Sequence, residues 1–122
     1  METQFSFEGL KVWQKSIDFA EGVIRLVDRL EEAPRKHYRL VEQLETASTS
    51  VAMNIAEGKG CQTTKEFIQF LYIARGSLFE VITLLTILDR LGWLTERLVE
   101  NYRQMAEEIF KMINALIKSM KE

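Results

Sequence analysis

Residues 63–92 of this chain read TTKEFIQFLYIARGSLFEVITLLTILDRLG, and this stretch decides the fold. Apolar side chains recur around nearly the whole circumference of the helix that it would form. The polar positions between them trace one thin line: Gln69, Glu80, Thr83 and Arg90. Thr63 and Glu66 have capping-box spacing, and Gly92 suits the end of a helix. The stretch predicts a helix over about 64–91 that has to be covered on almost every side.

The apolar run Phe67–Leu91 is long enough to be considered as a membrane span, which needs about 20 predominantly apolar residues. It carries charges near its middle at Arg75 and Glu80, and each such charge costs about 2.5–3.5 kcal/mol on insertion scales. A buried helix is therefore predicted, with no membrane, and Arg75 and Glu80 are expected to pair within or between subunits. Three partner helices would leave part of this helix in water, so we expect a contact between subunits there.

Apolar residues at 3-4 spacing predict three further helices, over about 9–30, 38–57 and 95–119. The first helix has two apolar stripes. One contains Leu10, Trp13, Ile17, Ala20, Ile24 and Val27, and the other contains Val12, Phe19, Val23, Leu26 and Leu30.

Several residues mark the ends of these helices. Polar residues 31–37, around the only proline, predict the first loop, and Gly58 with Gly60 suits the C-terminal cap of the second helix. Thr95 is the expected N-cap of the fourth helix, whose last residues are expected to fray. Four helices joined by short loops pack most simply up-down-up-down.

The totals agree with that architecture. A length of 122 residues fits one domain, and one Pro with six Gly disfavours a sandwich of many short strands. We therefore predict an all-α, antiparallel up-down-up-down four-helix bundle, a single domain over 1–122, that assembles as a cyclic homo-oligomer.

The residues that usually carry chemistry are scarce. One Cys and one His exclude an internal disulfide and a structural zinc site. Cys61 precedes a helix start, where the helix dipole could lower its thiol pKa, but an unreactive thiol is favoured because no second His offers a base. His37 has the features of a solvated loop residue. Without a phosphate-binding glycine loop or a secretory leader, the sequence predicts a cytoplasmic protein that is not an enzyme and uses no metal or cofactor.

Charge gives one functional lead in a chain whose net charge is −2. In the predicted topology one end of the bundle gathers six lysines: Lys11, Lys15, Lys59, Lys65, Lys118 and Lys121. Repeated around a ring, they would form a basic rim able to meet nucleic-acid phosphates. Ordinary scattered surface lysines, diluted by nearby glutamates, are an equal alternative.

The second helix contains small and polar residues. Its small residues between Ala47 and Ala56 favour tight packing within the bundle over a surface for a neighbouring subunit. Asn54 and Glu57, at the inner edge of this helix, favour a structural role in helix ends or bundle register over a binding role.

Four segments closely resemble one known family. They are STSVAMNIAEGKG at 48–60, TKEFIQFLYIARGSL at 64–78, FEGLKVWQK at 7–15 and LGWL at 91–94. The resemblance, over about residues 5–95, is to the bacterial four-helix-bundle proteins encoded in intervening sequences of 23S ribosomal RNA genes.

This resemblance implies an up-down bundle that assembles into a ring, typically a pentamer. Relatives include the accessory variability determinant of diversity-generating retroelements, a basic pentamer that binds a reverse transcriptase and nucleic acid. Members commonly carry basic residues where this chain has Glu45 and Thr46, and often a polar residue where it has Cys61.

The sequence therefore predicts a non-enzymatic oligomer that acts as an RNA- or ribonucleoprotein-associated accessory factor. Its partners would be copies of itself and RNA, a ribonucleoprotein or a reverse transcriptase. The residues expected to contact phosphate are Lys11, Lys15, Lys59 and Lys65. Those expected to form the bundle or its subunit interface are Trp13, Asn54, Glu57, Gly58, Phe70, Arg75 and Gly76. The alternative is a structural or protein-interaction oligomer that binds no nucleic acid.

Overall fold

A computed structural model describes residues 5–30 and 38–121. Its elements are a 3-10 turn, Ser6–Gly9, followed by the helices α1 (Lys11–Asp28), α2 (Tyr38–Lys59), α3 (Thr64–Arg90) and α4 (Glu96–Lys121). The described residues contain no strand. The predicted first loop, with His37, lies outside them.

The helices pack in a square. The backbone of α1 lies close to those of α2 and α4, and the backbone of α3 lies close to the same two, whereas the diagonal pairs of described helices are further apart. Neighbouring helices are antiparallel: Gly22 meets Tyr102 and Lys15 meets Glu108 across α1 and α4, and Ser50 meets Ser77 across α2 and α3. This confirms the predicted up-down-up-down four-helix bundle.

Four predicted helix ends differ from the structure by two residues, and one of them is the end of α1, which lies at Asp28 rather than at residue 30. The first helix begins at Lys11 rather than at residue 9, because Leu10 is extended after the 3-10 turn. α2 continues through Gly58 to Lys59. α4 is helical to Lys121, where fraying was expected.

The ends of α3 follow the predicted local chemistry. The Glu66 amide donates to the Thr63 hydroxyl oxygen over 3.1 Å, which caps the N-terminus. At the C-terminus Gly92 has a φ of +83°, and the Trp93 amide donates to the Leu88 carbonyl oxygen over 3.0 Å. This is a Schellman turn, and glycine suits it because an L side chain is strained at that φ.

The core lies between all four helices, and α3 contributes the most to it. Its buried residues are Phe67, Leu71, Ala74, Leu78, Val81, Leu84, Leu85 and Leu88. α3 is long and apolar enough to cross a membrane. The core helices of water-soluble bundles often have the same length and composition. One side of α3 is buried against α2 and α4, as expected for the core helix of a bundle.

The two stripes of α1 are not equally buried. Val12, Phe19 and Val23 are in the core, whereas Ile17 of the other stripe is 39% exposed. Ala20 and Val27 of that other stripe are nevertheless buried, so both stripes reach the core and only part of the second is left exposed. On α2 the small residues Ala47 and Ser48 are buried in the bundle, which confirms tight packing there.

The outer face of α3, defined here by Ile73, Gly76, Phe79, Thr83 and Ile87, is not covered by the bundle. Ile73 and Phe79 are 52% and 55% exposed, and Ile87 is 39% exposed. The prediction that a single bundle leaves part of this helix in water is confirmed.

Candidate nucleic-acid interface

Four helix termini meet at one end of the bundle, which we call the lysine end: the N-termini of α1 and α3 and the C-termini of α2 and α4. Lys11, Lys59 and Lys65 are exposed there, and none of them makes an ion pair with a described residue. Unpaired ammonium groups are the form in which lysine is available to a phosphate.

The fourth predicted phosphate contact, Lys15, is different. Its ammonium lies 2.7 Å from a carboxylate oxygen of Glu108, and this ion pair bridges α1 and α4. Both side chains are about half exposed, so the pair adds little stability, but it neutralises Lys15 locally. Lys15 is therefore a weaker candidate than the other three lysines.

Two glutamates at the lysine end are bound to the backbone or to a cap rather than to lysine. Glu8 accepts a hydrogen bond from the Phe5 amide over 2.7 Å. Glu66 accepts one from the Thr63 hydroxyl over 2.9 Å. Glu57 is exposed at the end of α2. These glutamates reduce the positive charge of the lysine end, but none of them forms an ion pair with Lys11, Lys59 or Lys65.

Gly58 fixes the separation of α2 and α3 at this end. A Cβ built on it would lie 2.7 Å from Phe70 Cβ and 2.8 Å from Phe67 Cδ1. The predicted role of Gly58 as a C-terminal cap is wrong, because the helix continues past it and its φ is not positive. Instead, the missing side chain lets α3 approach, which places Lys59 and Lys65 on neighbouring helix ends.

Asn54 links α2 to α3 through a serine. The side-chain amide of Asn54 donates to both the carbonyl oxygen and the hydroxyl oxygen of Ser50, each over 2.8 Å. The Ser50 and Ser77 hydroxyls are 2.9 Å apart across the two helices. This network matches the structural role favoured for Asn54.

Trp13 is partly buried and packs against the core, with its ring 5.2 Å from that of Phe7. It thereby holds the 3-10 turn against α1. Gly76 is exposed on α3, and a Cβ there would meet nothing within 4 Å.

Arg75 and Glu80 were expected to pair within or between subunits, and within the chain each has a different polar partner. Arg75 donates to the Asn114 side-chain oxygen over 2.8 Å, and Glu80 accepts from Gln43 over 3.3 Å. Five positions along α3 point the two side chains toward different neighbours, α4 and α2.

Cys61 is half-buried in the turn between α2 and α3, and its thiol donates to the Glu57 carbonyl oxygen over 3.4 Å. Partial burial, with the carboxylates of Glu66 and Glu57, raises the pKa of the Cys61 thiol. The direction is opposite to the lowering suggested by the helix dipole, because partial burial and the two carboxylates both favour the neutral thiol.

The family model of the 23S rRNA-intervening sequence protein matches residues 8–115. The chain belongs to this family. The match spans all four helices, including α4, which the sequence segments had left out of the resemblance.

A member of the S23 ribosomal protein family from Bacteroides thetaiotaomicron VPI-5482, a protein of unknown function, has a similar crystal structure. The two chains are 29% identical, with a TM-score of 0.81 over 88% of this chain and 98% of that one. No curated protein matches the sequence.

Within this family fold, one cluster near the lysine end could not be found from sequence. Lys121 of α4 donates to the Tyr72 hydroxyl oxygen over 2.9 Å, and the Arg75 guanidinium lies 4.7 Å from the Tyr72 ring centroid. The i, i+3 spacing of Tyr72 and Arg75 was visible on α3, but Lys121 joins them only through the register of α4 on α3.

Proposed function

We propose that the protein acts by binding, as a non-catalytic accessory protein of structured RNA, and that its lysine end contacts the RNA backbone. The observation that carries the proposal is the presence of Lys11, Lys59 and Lys65 on adjoining helix ends, exposed and without an ion pair among the described residues. Membership of the 23S rRNA-intervening sequence protein family also supports an RNA context.

The distribution of charge favours a local interface over a general attraction. The chain as a whole carries −2, so it has no bulk attraction to phosphate. Its lysines lie mainly at the lysine end, whereas arginines such as Arg29, Arg39 and Arg97 lie at the opposite end among acidic residues. RNA should therefore meet the bundle from one direction.

Reversing the charge of the lysines tests whether RNA binds at the lysine end. We expect the triple variant K11E/K59E/K65E to lose salt-sensitive binding to a structured RNA, measured by fluorescence anisotropy at low salt. In the wild-type protein each phosphate contact should add about 0.9 to the slope of log affinity against log salt on duplex regions. A Lys15→Gln variant should have a smaller effect, because Glu108 already neutralises Lys15.

The matched control is R29E/R39E/R97E, which changes the net charge by the same amount at the opposite end. It should retain most of the binding. The proposal is wrong if wild-type protein does not bind RNA at low salt, or if the two triple variants weaken binding equally.

A structural oligomer without RNA is the second candidate, and the outer face of α3 favours it. Ile73, Phe79 and Ile87 present apolar surface on one side of a long helix, and exposed Gly76 would let another helix approach closely. Light scattering tests self-association through this face. A monomer at micromolar concentration would exclude it, and an oligomer that binds no RNA would favour this candidate over the first.

A further inference from the structure

A second group of cations lies beside the lysine end, on the surface between α3 and α4. Two cations lie close to the ring of Tyr72. The guanidinium carbon of Arg75 is 4.7 Å from the ring centroid, and the ammonium nitrogen of Lys121 is 5.5 Å from it. Neither cation pairs with a carboxylate among the described residues. Two positive charges that no described carboxylate neutralises therefore lie close to one aromatic ring.

The hydrogen bonds in this cluster leave donors for a ligand. Lys121 donates to the Tyr72 hydroxyl oxygen, so the phenol hydrogen remains available. Arg75 is oriented by one bond to Asn114 Oδ1, which uses only one of its five N–H groups. The cluster therefore presents ammonium, guanidinium and phenol donors, a combination suited to phosphate oxygens.

The pKa of the Tyr72 phenol reflects the positive charges around it. The hydrogen bond from Lys121, with the charges of Lys121 and Arg75, lowers the pKa of Tyr72. The tyrosine is 37% exposed, and the Arg75 guanidinium, which is also planar, lies over its ring, so a base would stack on the exposed side of the ring or on the guanidinium. Unpaired bases stack on tyrosine rings and on arginine planes, whereas paired bases in a duplex cannot.

The cluster is continuous with the lysine end. Lys65 and Tyr72 are seven residues apart on α3, which puts them on the same side of the helix, two turns apart. We infer that Tyr72, Arg75 and Lys121 form a subsite for a single-stranded segment of RNA, in which the two cations hold a backbone phosphate and an unpaired base stacks on the tyrosine. This inference rests on the proposed function, because it extends the RNA path from the lysine end.

The test compares a single-stranded RNA with a duplex of the same length, each titrated with the full chain. Tyr72→Leu should weaken single-strand binding by about fivefold or more, and leave duplex binding unchanged, because only an unpaired base can use the ring. Tyr72→Phe keeps the ring and should keep the preference. R75Q/K121Q should lower the single-strand salt slope by about 0.7 for each lost phosphate contact.

The control R90Q/R97Q removes two exposed arginines at the opposite end of the bundle, in the last turn of α3 and the first turn of α4, and should not change the slope. Since Arg75 is half-buried, Lys121→Gln alone, in the exposed last turn of α4, gives the same test with less risk to folding. The inference is overturned if Tyr72→Leu weakens both RNAs equally, or if the R75Q/K121Q and Lys121→Gln slopes match wild type. If these variants bind normally but K11E/K59E/K65E does not, only this inference fails; if wild type binds neither RNA, both proposals fail.

Discussion

The inner and outer faces of α3 both carry large apolar side chains, but these side chains have opposite surroundings. Leu71, Leu78 and Leu85 on the inner face are at most 1% exposed, whereas Ile73 and Phe79 on the outer face are more than half exposed. Hydropathy measures how much surface favours burial, but the positions of α2 and α4 decide which surface is buried. The difference separates residues that hold the bundle together from residues available to something else.

The largest effect should come from the inner face. Leu85→Ala should lower the free energy of unfolding by about 2–5 kcal/mol, because it leaves a cavity at a position that is 0% exposed. Urea denaturation measures this loss, which should not depend on protein concentration. The control Ile87→Ala, two residues further along α3, should cost far less in dilute protein. Equal losses for the two variants would erase the distinction between the faces.

A pair of glycines gives a smaller effect of opposite sign. Gly58→Ala should destabilise the bundle by about 1–3 kcal/mol, since its Cβ would overlap Phe70 and Phe67. Gly76→Ala, with open space around it, should instead stabilise by about 0.5–1 kcal/mol through helix propensity. Thermal unfolding of both variants checks the signs, and a stabilising Gly58→Ala would contradict the close approach of α2 and α3.

The smallest effect on stability should accompany a clear effect on assembly. Thr83→Glu puts a carboxylate in the centre of the outer face, and an exposed substitution there should change the free energy of unfolding of the monomer by about 0.5 kcal/mol or less. If copies associate through this face, light scattering should show a lower mass. Thr46→Glu is the control, since Thr46 is also exposed and bonds to the carbonyl oxygen four residues back. An equal mass for both variants would place any assembly elsewhere.

The ends of α3 were predictable because their causes are local. Thr63 and Glu66 are three residues apart, and Gly92 follows the last turn, so the sequence alone contains every group involved. Gly58 was misassigned because its true partners, Phe67 and Phe70, belong to the next helix. A glycine that permits close packing and one that caps a helix look the same until the neighbour is placed.

The candidate site shows the same limit. That Lys11, Lys59 and Lys65 share one end follows from the order and direction of the helices, which the sequence predicted. That Lys15 is paired and that Lys121 meets Tyr72 depends on the register of α4 against α1 and α3. The spacing of apolar residues predicts that a segment is helical, but it fixes the axial position of that helix against a neighbour poorly.

The seam between α1 and α4 has a consequence for the order of folding. Tyr102 donates to the Gly22 carbonyl oxygen over 2.9 Å, a contact between residues 80 positions apart, whereas α2 and α3 are joined by a turn of a few residues. Closing a long loop costs more chain entropy than closing a short one, so we expect the α2–α3 hairpin to form early and the α1–α4 seam late. Lys59 and Lys65 would come together with the hairpin, but Lys11 would join them only when the seam closes. A partly folded chain would therefore present an incomplete lysine end, and a ligand that contacts all three lysines would bind only the finished bundle.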